Sequence, residues 1–256
     1  MNKIKNETIE LLMSHSSCRS FLDKPVSEDV ADAVIECAQR APTSSYLQAY
    51  SIIRVEDKEK RKALAEFAGG QEWVEKAGLA LLFCADLHRL DVVLDVADKN
   101  VLHNAELYTV AVTDAALASS RALVAAQALG LGGVFVGGVR NETEKMAELF
   151  NLPELVFPMY VVCMGYPADV PPQRPRMDKS LISAVDAYPE ITGAEQLADY
   201  EKEVSEYFLG ITNGRSGRGW IARAEHAISV KPRYSVGEFL HKAGFMTADE
   251  SDEKSE

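Results

Sequence analysis

GLGGVFVGG, residues 130–138, closes a long apolar segment and decides how the rest of the chain is read. Upstream of it, residues 104–129 hold no Gly or Pro and are crowded with Ala, Val and Leu, which predicts one long helix, apolar nearly all round and therefore inside the fold. Gly130 to Gly133 stop that helix, because glycine takes up left-handed backbone angles without penalty. The β-branched Val134 and Val136, with Phe135 between them, predict a buried strand. Gly137 and Gly138 end the strand with bare backbone. A glycine pair there lets a flat ligand approach exposed amides closely, so Val136, Gly137 and Gly138 form a candidate cofactor floor, with a tight turn as the alternative.

Working outward, Ile9, Leu12 and Met13 give the stripe of a first helix over 4–13. A second helix starts at the N-cap candidate Ser27, carries Glu28 and Asp29 where the helix dipole favours anions, and is closed by Pro42. TSSYLQ, 43–48, reads as a polar loop before a strand over 51–55, and Asp57 opens a helix that stops at Gly69 and Gly70. The unbroken apolar run 79–85 suits a central strand covered on both faces, and 87–99 a surface connection. Asn141 and Glu144 have capping-box spacing, which predicts a helix to Phe150, followed by a strand over 159–165. PPQRPR is held extended by its prolines, so Arg174 and Arg176, flanking Pro175, can reach toward one anion. Beyond it come a predicted amphipathic helix carrying Leu197, Tyr200, Val204, Tyr207 and Phe208, shorter ones over 220–229 and 235–243, and the loop GITNGRSGRG. These read as arms packed over the main domain or over a partner subunit. The charged end, TADESDEKSE, predicts disorder.

The chain of 256 residues, 47% hydrophobic, can bury a substantial core. The opening MNKIKNE lacks the apolar region of a secretory signal, which makes a cytoplasmic protein the expectation. Cys18, Cys37, Cys84 and Cys163 stand far apart with no ligand spacing, against a zinc site or a disulfide framework; no metal is expected. A net charge of -12 argues against nucleic acid as a partner. GxSxG, HExxH and GxxxxGK are absent, and the glycines of 130–138 do not match GxGxxG after a first strand.

Scattered polar elements remain: HSSCR at 15–19, TSSYLQ at 43–48, Gln71, Gly137 with Gly138, and RPR at 174–176. One ligand carrying a phosphate for arginines, a polar chain for serines and a flat heterocycle for an amide and bare backbone would explain them together. Each has a plainer reading. His15 could satisfy a helix carbonyl, the serines could supply turns, Arg19 could pair with Asp23, Gln71 could cap a helix, and Cys18 could be packing.

The ordered set HSSCR, TSSYLQAY, GGQ, GLGGVFVGGVRN, MGYPAD, RPR and ITNGR closely resembles the nitroreductase superfamily, specifically its NADPH-preferring oxygen-insensitive nitroreductases and flavin reductases. The match spans nearly the whole chain except the acidic tail. The resemblance implies an α+β homodimer, a mixed central sheet flanked by helices, with two FMN sites at the dimer interface and the long helix in that interface. It divides the chain into an FMN-binding core over 1–186, a helical C-terminal excursion over 187–246 and the tail 247–256. Carried over residue by residue, FMN falls to His15, Ser16, Ser17, Arg19, Thr43, Ser44, Ser45, Gln71, Val136, Gly137, Gly138, Arg174 and Arg176, and NAD(P)H or substrate to Tyr46, Arg215 and Arg218.

The implied activity is ping-pong hydride transfer from NADPH or NADH through FMN to a nitroaromatic, quinone or flavin. The flavin N5 carries the chemistry, so no side chain is assigned as catalytic. Ser16 stands where the family usually has arginine, Arg174 where lysine is common, and Ile211 where relatives place an arginine for the 2'-phosphate of NADPH. The last departure leaves the choice between NADPH and NADH open, with Arg215 and Arg218 close by. The alternatives are an ene-reductase or another specialised redox activity on the same FMN scaffold, or a flavin-storing or flavin-sensing protein without turnover.

Overall fold

The computed structural model describes residues 4–230 and 232–248. In chain order the helices and strands are α1 (Glu7–Met13), α2 (Glu28–Gln39), β1 (Tyr50–Arg54), α3 (Lys58–Phe67), α4 (Glu72–Lys76), β2 (Leu79–Asp86), α5 (His88–Val93), α6 (Ala105–Ala128), β3 (Gly132–Val136), α7 (Thr143–Phe150), β4 (Val156–Gly165), α8 (Ala198–Ile211), α9 (Trp220–Ser229) and α10 (Ser235–Lys242). They fall into two compact units, residues 1–171 with 233–256, and residues 172–232. The expectation of a disordered tail lies, from residue 249 on, outside the described residues.

The α+β class is as expected. In the first unit four strands pair in the order β1-β2-β4-β3, antiparallel throughout. A parallel pairing occurs where Ser17 bridges Gly133 at the free edge of β3. Every residue of β2 is buried, as its unbroken apolar run requires, and side-chain alternation sends it into two cores. Leu79, Leu81, Phe83 and Ala85 join α2 and α6 residues such as Val34, Ala115 and Ala118 on one face. Ala80, Leu82 and Cys84 join Leu64 of α3, Met146 of α7 and Val134 on the other. A bulge lies between the pairs Phe83–Tyr160 and Cys84–Pro158. Pro158 has no N–H for the ladder, and a bulge beside it lets the strand continue.

Side chains set several helix starts. Asn6, Asp57 and Asn104 accept from Thr8, Lys60 and Leu107 backbone N–H at 2.8 to 2.9 Å. Ser27 precedes α2 as expected, without a side-chain cap bond. The capping box at Asn141 and Glu144 does not form: α7 follows a 3-10 turn, Gly137–Asn141, that already takes up Asn141, so Glu142 precedes the helix. The connection after β2 contains the short helix α5.

The long helix α6 is only half enclosed. Val110, Ala111, Ala115, Ala118, Ala122 and Ala126 are buried, whereas Thr109, Thr113, Ala116, Leu117 and Ser120 on the other side are exposed. Alanine and threonine are compatible with either surroundings, so composition concealed a sided helix. Among the described residues α6 alone has the length and hydropathy to cross a membrane, and half of that span is buried inside the protein. β3 is likewise sided: Val134 and Val136 are buried, and Phe135 between them is 39% exposed.

The second unit holds α8 and α9 with 3-10 turns at Lys179–Leu181 and Ala194–Leu197. Tyr200 and Trp220 rings lie 6.2 Å apart, and Tyr207 meets Phe208 edge-on at 5.2 Å. Glu201 accepts from the Ile221 N–H at 2.6 Å, joining the two helices.

Candidate functional site

The first motif leaves α1 and runs along the edge of β3. Ser17 pairs with Gly133, and the Cys18 N–H donates to the Gly133 carbonyl at 3.0 Å. Cys18 points inward, where a Cβ on Gly132 would lie 2.7 Å from the Cys18 Cβ. Glycine at 132 therefore admits this segment to the sheet edge. Burial, more than any other influence, pushes the Cys18 thiol up, so the side chain is packing and not a poised thiolate. His15 Nδ1 lies 3.1 Å from Nε2 of Gln127 on α6. Arg19 is exposed; its Nη1 donates to the Ser17 carbonyl at 3.4 Å, and its guanidinium carbon sits 5.8 Å from the Trp73 ring centroid.

The other end of β3 meets the turn before α4. Gln71 Nε2 donates to the Ala68 carbonyl at 2.5 Å. A Cβ at Gly138 would stand 2.3 Å from that same carbonyl oxygen and 2.7 Å from Gln71 Nε2. Gly138 is buried, so its bare backbone admits the 68–71 segment, and Gln71 and Gly138 are brought together by direct packing. Gly137 is partly exposed, and Arg140 folds back on it, with Nη2 2.9 Å from where a Cβ would be. Arg140 Nη1 also donates to the carbonyl of Met159, the residue between the two pairs flanking the β4 bulge. Burial and then the charge of Arg233 lower the Arg140 pKa. The Val136 side chain is in the core, so only its backbone can serve a ligand.

The 43–48 loop is more tightly specified than a polar loop need be. Ser45, Tyr46 and Gln48 have φ of 48°, 60° and 52°, in the left-handed region that residues with a Cβ seldom enter. A fully buried carboxylate holds it: Asp114 of α6 accepts from the Ser44 N–H at 2.9 Å and the Ala49 N–H at 3.0 Å. Ser44, Ser45 and Tyr46 stand exposed, and Thr43 precedes the turn in extended conformation. Beside them opens a cleft of about 1000 Å³ lined by Cys37, Arg40, Tyr46, Gln48, Tyr50 and Arg89. Asp114, Gln127 and Arg140 were missed in the sequence. For Asp114 and Gln127 the available signal was a carboxylate in the middle of an apolar helix and that helix's one amide side chain, each needing a partner where it is buried.

The remaining expected residues belong to the second unit. Arg176 Nη1 donates to the Arg174 and Pro175 carbonyls, and Arg174 lies 5.9 Å from the Phe208 ring centroid. Arg215, Ser216, Gly217, Arg218, Ala222, Arg223 and His226 line a concavity of about 670 Å³. Arg223 stacks on Phe208 at 3.2 Å and donates to Ser216 Oγ at 3.1 Å and the Arg218 carbonyl at 2.9 Å. Desolvation, Arg218 and Arg174 all press its pKa downward. A concavity lined by three guanidiniums and no carboxylate suits an anion. Among the described residues no three His, Cys, Asp or Glu side chains gather to hold a metal ion.

Comparison with known proteins follows this geometry. Residues 12–166 match the model of the nitroreductase family, and residues 174–248 that of the nitroreductase family C-terminal domain. The chain is 36% identical over 245 residues to an FMN reductase (NADPH) of Bacillus subtilis, covering 94% of this chain and 98% of that protein. It is 38% identical over 242 residues to an oxygen-insensitive NADPH nitroreductase of Salmonella typhimurium, with coverage of 94% and 98%. The solved structure of a Bacillus subtilis nitroreductase superposes with a TM-score of 0.90 at 34% identity, covering 94% of this chain and 99% of that one. A Vibrio harveyi NADPH:FMN oxidoreductase complexed with NAD+ superposes at 0.85, with 30% identity and coverage of 94% and 100%.

Proposed function

The chain belongs to the nitroreductase family, and on that footing we propose that it is an FMN-dependent NAD(P)H oxidoreductase, a cytoplasmic homodimer that reduces nitroaromatics, quinones or flavins. One observation of the fold carries the reading. The first motif pairs with the start of β3, Arg19 lies over Trp73 of α4, and Gln71, just before α4, packs on Gly138 beyond the end of β3. Groups for an anion and for a flat ring thus stand around one short strand, and the Gly138 cradle holds an amide that a Cβ would displace. The donor set fits FMN.

Bound FMN would supply two-electron hydride chemistry between NAD(P)H and the second substrate, in the ping-pong order proposed here. The protein binds and orients. In the first unit Arg19 would hold the phosphate through a charge-assisted hydrogen bond contributing about 1.5 to 3 kcal/mol, and in the second unit Arg174 and Arg176, flanking Pro175, are cations suited to an anion. His15, Ser16, Ser17, Thr43, Ser44 and Ser45 hold the polar chain, with the serine loop fixed by Asp114. Gln71 and the backbone of Val136, Gly137 and Gly138 meet the ring. Tyr46 flanks the substrate. Arg215 and Arg218, joined by Arg223, supply for the 2'-phosphate of NADPH the cations that Ile211 does not. Exposed Phe135 and the exposed side of α6 support a second copy as partner.

The test is reconstitution of flavin-stripped protein. One FMN per chain, a dimer by sedimentation, and NADPH-dependent reduction of a nitroaromatic restored in proportion to bound FMN are expected. Full activity without flavin, or no flavin uptake, would refute the reading.

A further inference from the structure

Arg19 is exposed, and the long arginine side chain has much rotamer freedom to lose on binding a ligand. Its Nη1 donates to the Ser17 carbonyl at 3.4 Å, and its guanidinium carbon lies over the Trp73 ring, 5.8 Å from the centroid and within cation–π reach. That ring is itself well placed. The next residue, Val74, is fully buried, and the carbonyl of Ala77 just past α4 accepts from Arg61 Nη1, whose Nε and Nη2 both donate to the Val55 carbonyl. The Trp73 indole Nε1 is buried without a hydrogen-bond partner among the described residues. An unmet buried donor opposes folding, and phenylalanine would fill most of the same space without one. What tryptophan adds is the face that binds a guanidinium best.

We propose that Trp73 is a positioning residue for the cofactor's phosphate, its ring holding the Arg19 guanidinium in place before the flavin nucleotide binds. The proposal rests on the reading that Arg19 binds that phosphate. A restrained guanidinium loses less freedom on binding, so affinity rises without any contact between Trp73 and the ligand.

The experiment titrates flavin-stripped protein with FMN, following quenching of flavin fluorescence, in a double-mutant cycle. Trp73→Leu is expected to raise the FMN Kd about two- to fivefold, and Trp73→Phe, which keeps an aromatic face, by less than Trp73→Leu. In an Arg19→Ala background Trp73→Leu is expected to change nothing further, because the group it positions has gone. Trp73→Met serves in place of Trp73→Leu where thermal melting shows the latter unfolded, with the same result expected. Equal fold-changes in both backgrounds, or an unchanged Kd in Trp73→Leu, would overturn the role of Trp73. An unchanged Kd in Arg19→Ala alone would overturn the phosphate role of Arg19, and this proposal with it.

Discussion

In the unit formed by residues 1–171 and 233–256, alternate residues of β2 feed two separate cores, whereas among the described residues of 172–232 only Leu197 and Val204 are buried. The second unit instead exposes Val185, Tyr188, Ile228 and Val230, each more than half accessible. Its internal order comes from polar and stacking contacts: Glu201 to Ile221, Arg223 on Phe208, Ser205 to the Gly217 carbonyl at 2.6 Å. So small a buried apolar surface cannot offset the entropy of ordering the segment. The first unit is built to hold a shape, and the second to present cations and apolar side chains.

The sharpest way to break this contrast is truncation in each unit. Phe83→Ala, at a fully buried centre of β2, is expected to lower stability by about 3 to 5 kcal/mol in denaturant unfolding. Val204→Ala is expected to lower it by about 1 to 2 kcal/mol at most. Comparable losses would mean that the second unit has a core of its own. Next in size, Arg19→Ala is expected to weaken FMN binding about ten- to a hundredfold, following about 1.5 to 3 kcal/mol for a charge-assisted hydrogen bond. Unchanged flavin retention after dialysis would count against it.

For the second unit, Arg223→Ala is expected to raise the KM for NADPH by about tenfold or less while leaving that for NADH unchanged. Equal effects on both would remove the 2'-phosphate from that concavity. The smallest effect concerns thiols. Burial pushes the Cys163 thiol from its ordinary value of 9.0 up to about 12 and raises Cys84 as well, whereas Cys37 is exposed. A thiol reagent at pH 8 is expected to label Cys37 and to spare Cys84 and Cys163 until the protein unfolds. Because the folded thiol stays protonated while the unfolded one ionises, these buried groups are expected to withdraw stability as pH rises from about 9 toward 12. A stability that rises over that interval would contradict their burial.

Much of the fold was legible because local chemistry and tertiary need coincide. Asn104 caps α6, the glycines at 69 and 70 take positive φ after α3, and the apolar run of β2 is buried on both faces. What was hidden depended on partners distant in sequence. Asp114 interrupts an apolar helix, and only the fold reveals that its carboxylate holds the backbone of the serine loop. The same applies to Gln127 beneath His15 and to Arg140 beside the β4 bulge. Gly138 was singled out for its bare backbone, and the structure gives it a definite neighbour, the Ala68–Gln71 segment. Alanine, threonine and valine suit core and interface alike, so the exposed side of α6 and the exposure of Phe135 could not be read from composition.

The most direct test of the central claim is an absorbance spectrum of the purified protein, recorded anaerobically before and after NADPH. The account predicts flavin bands that bleach rapidly and return when a quinone or nitroaromatic is added. Flavin bands that persist with both NADPH and NADH, or their absence even after reconstitution with FMN, would contradict it.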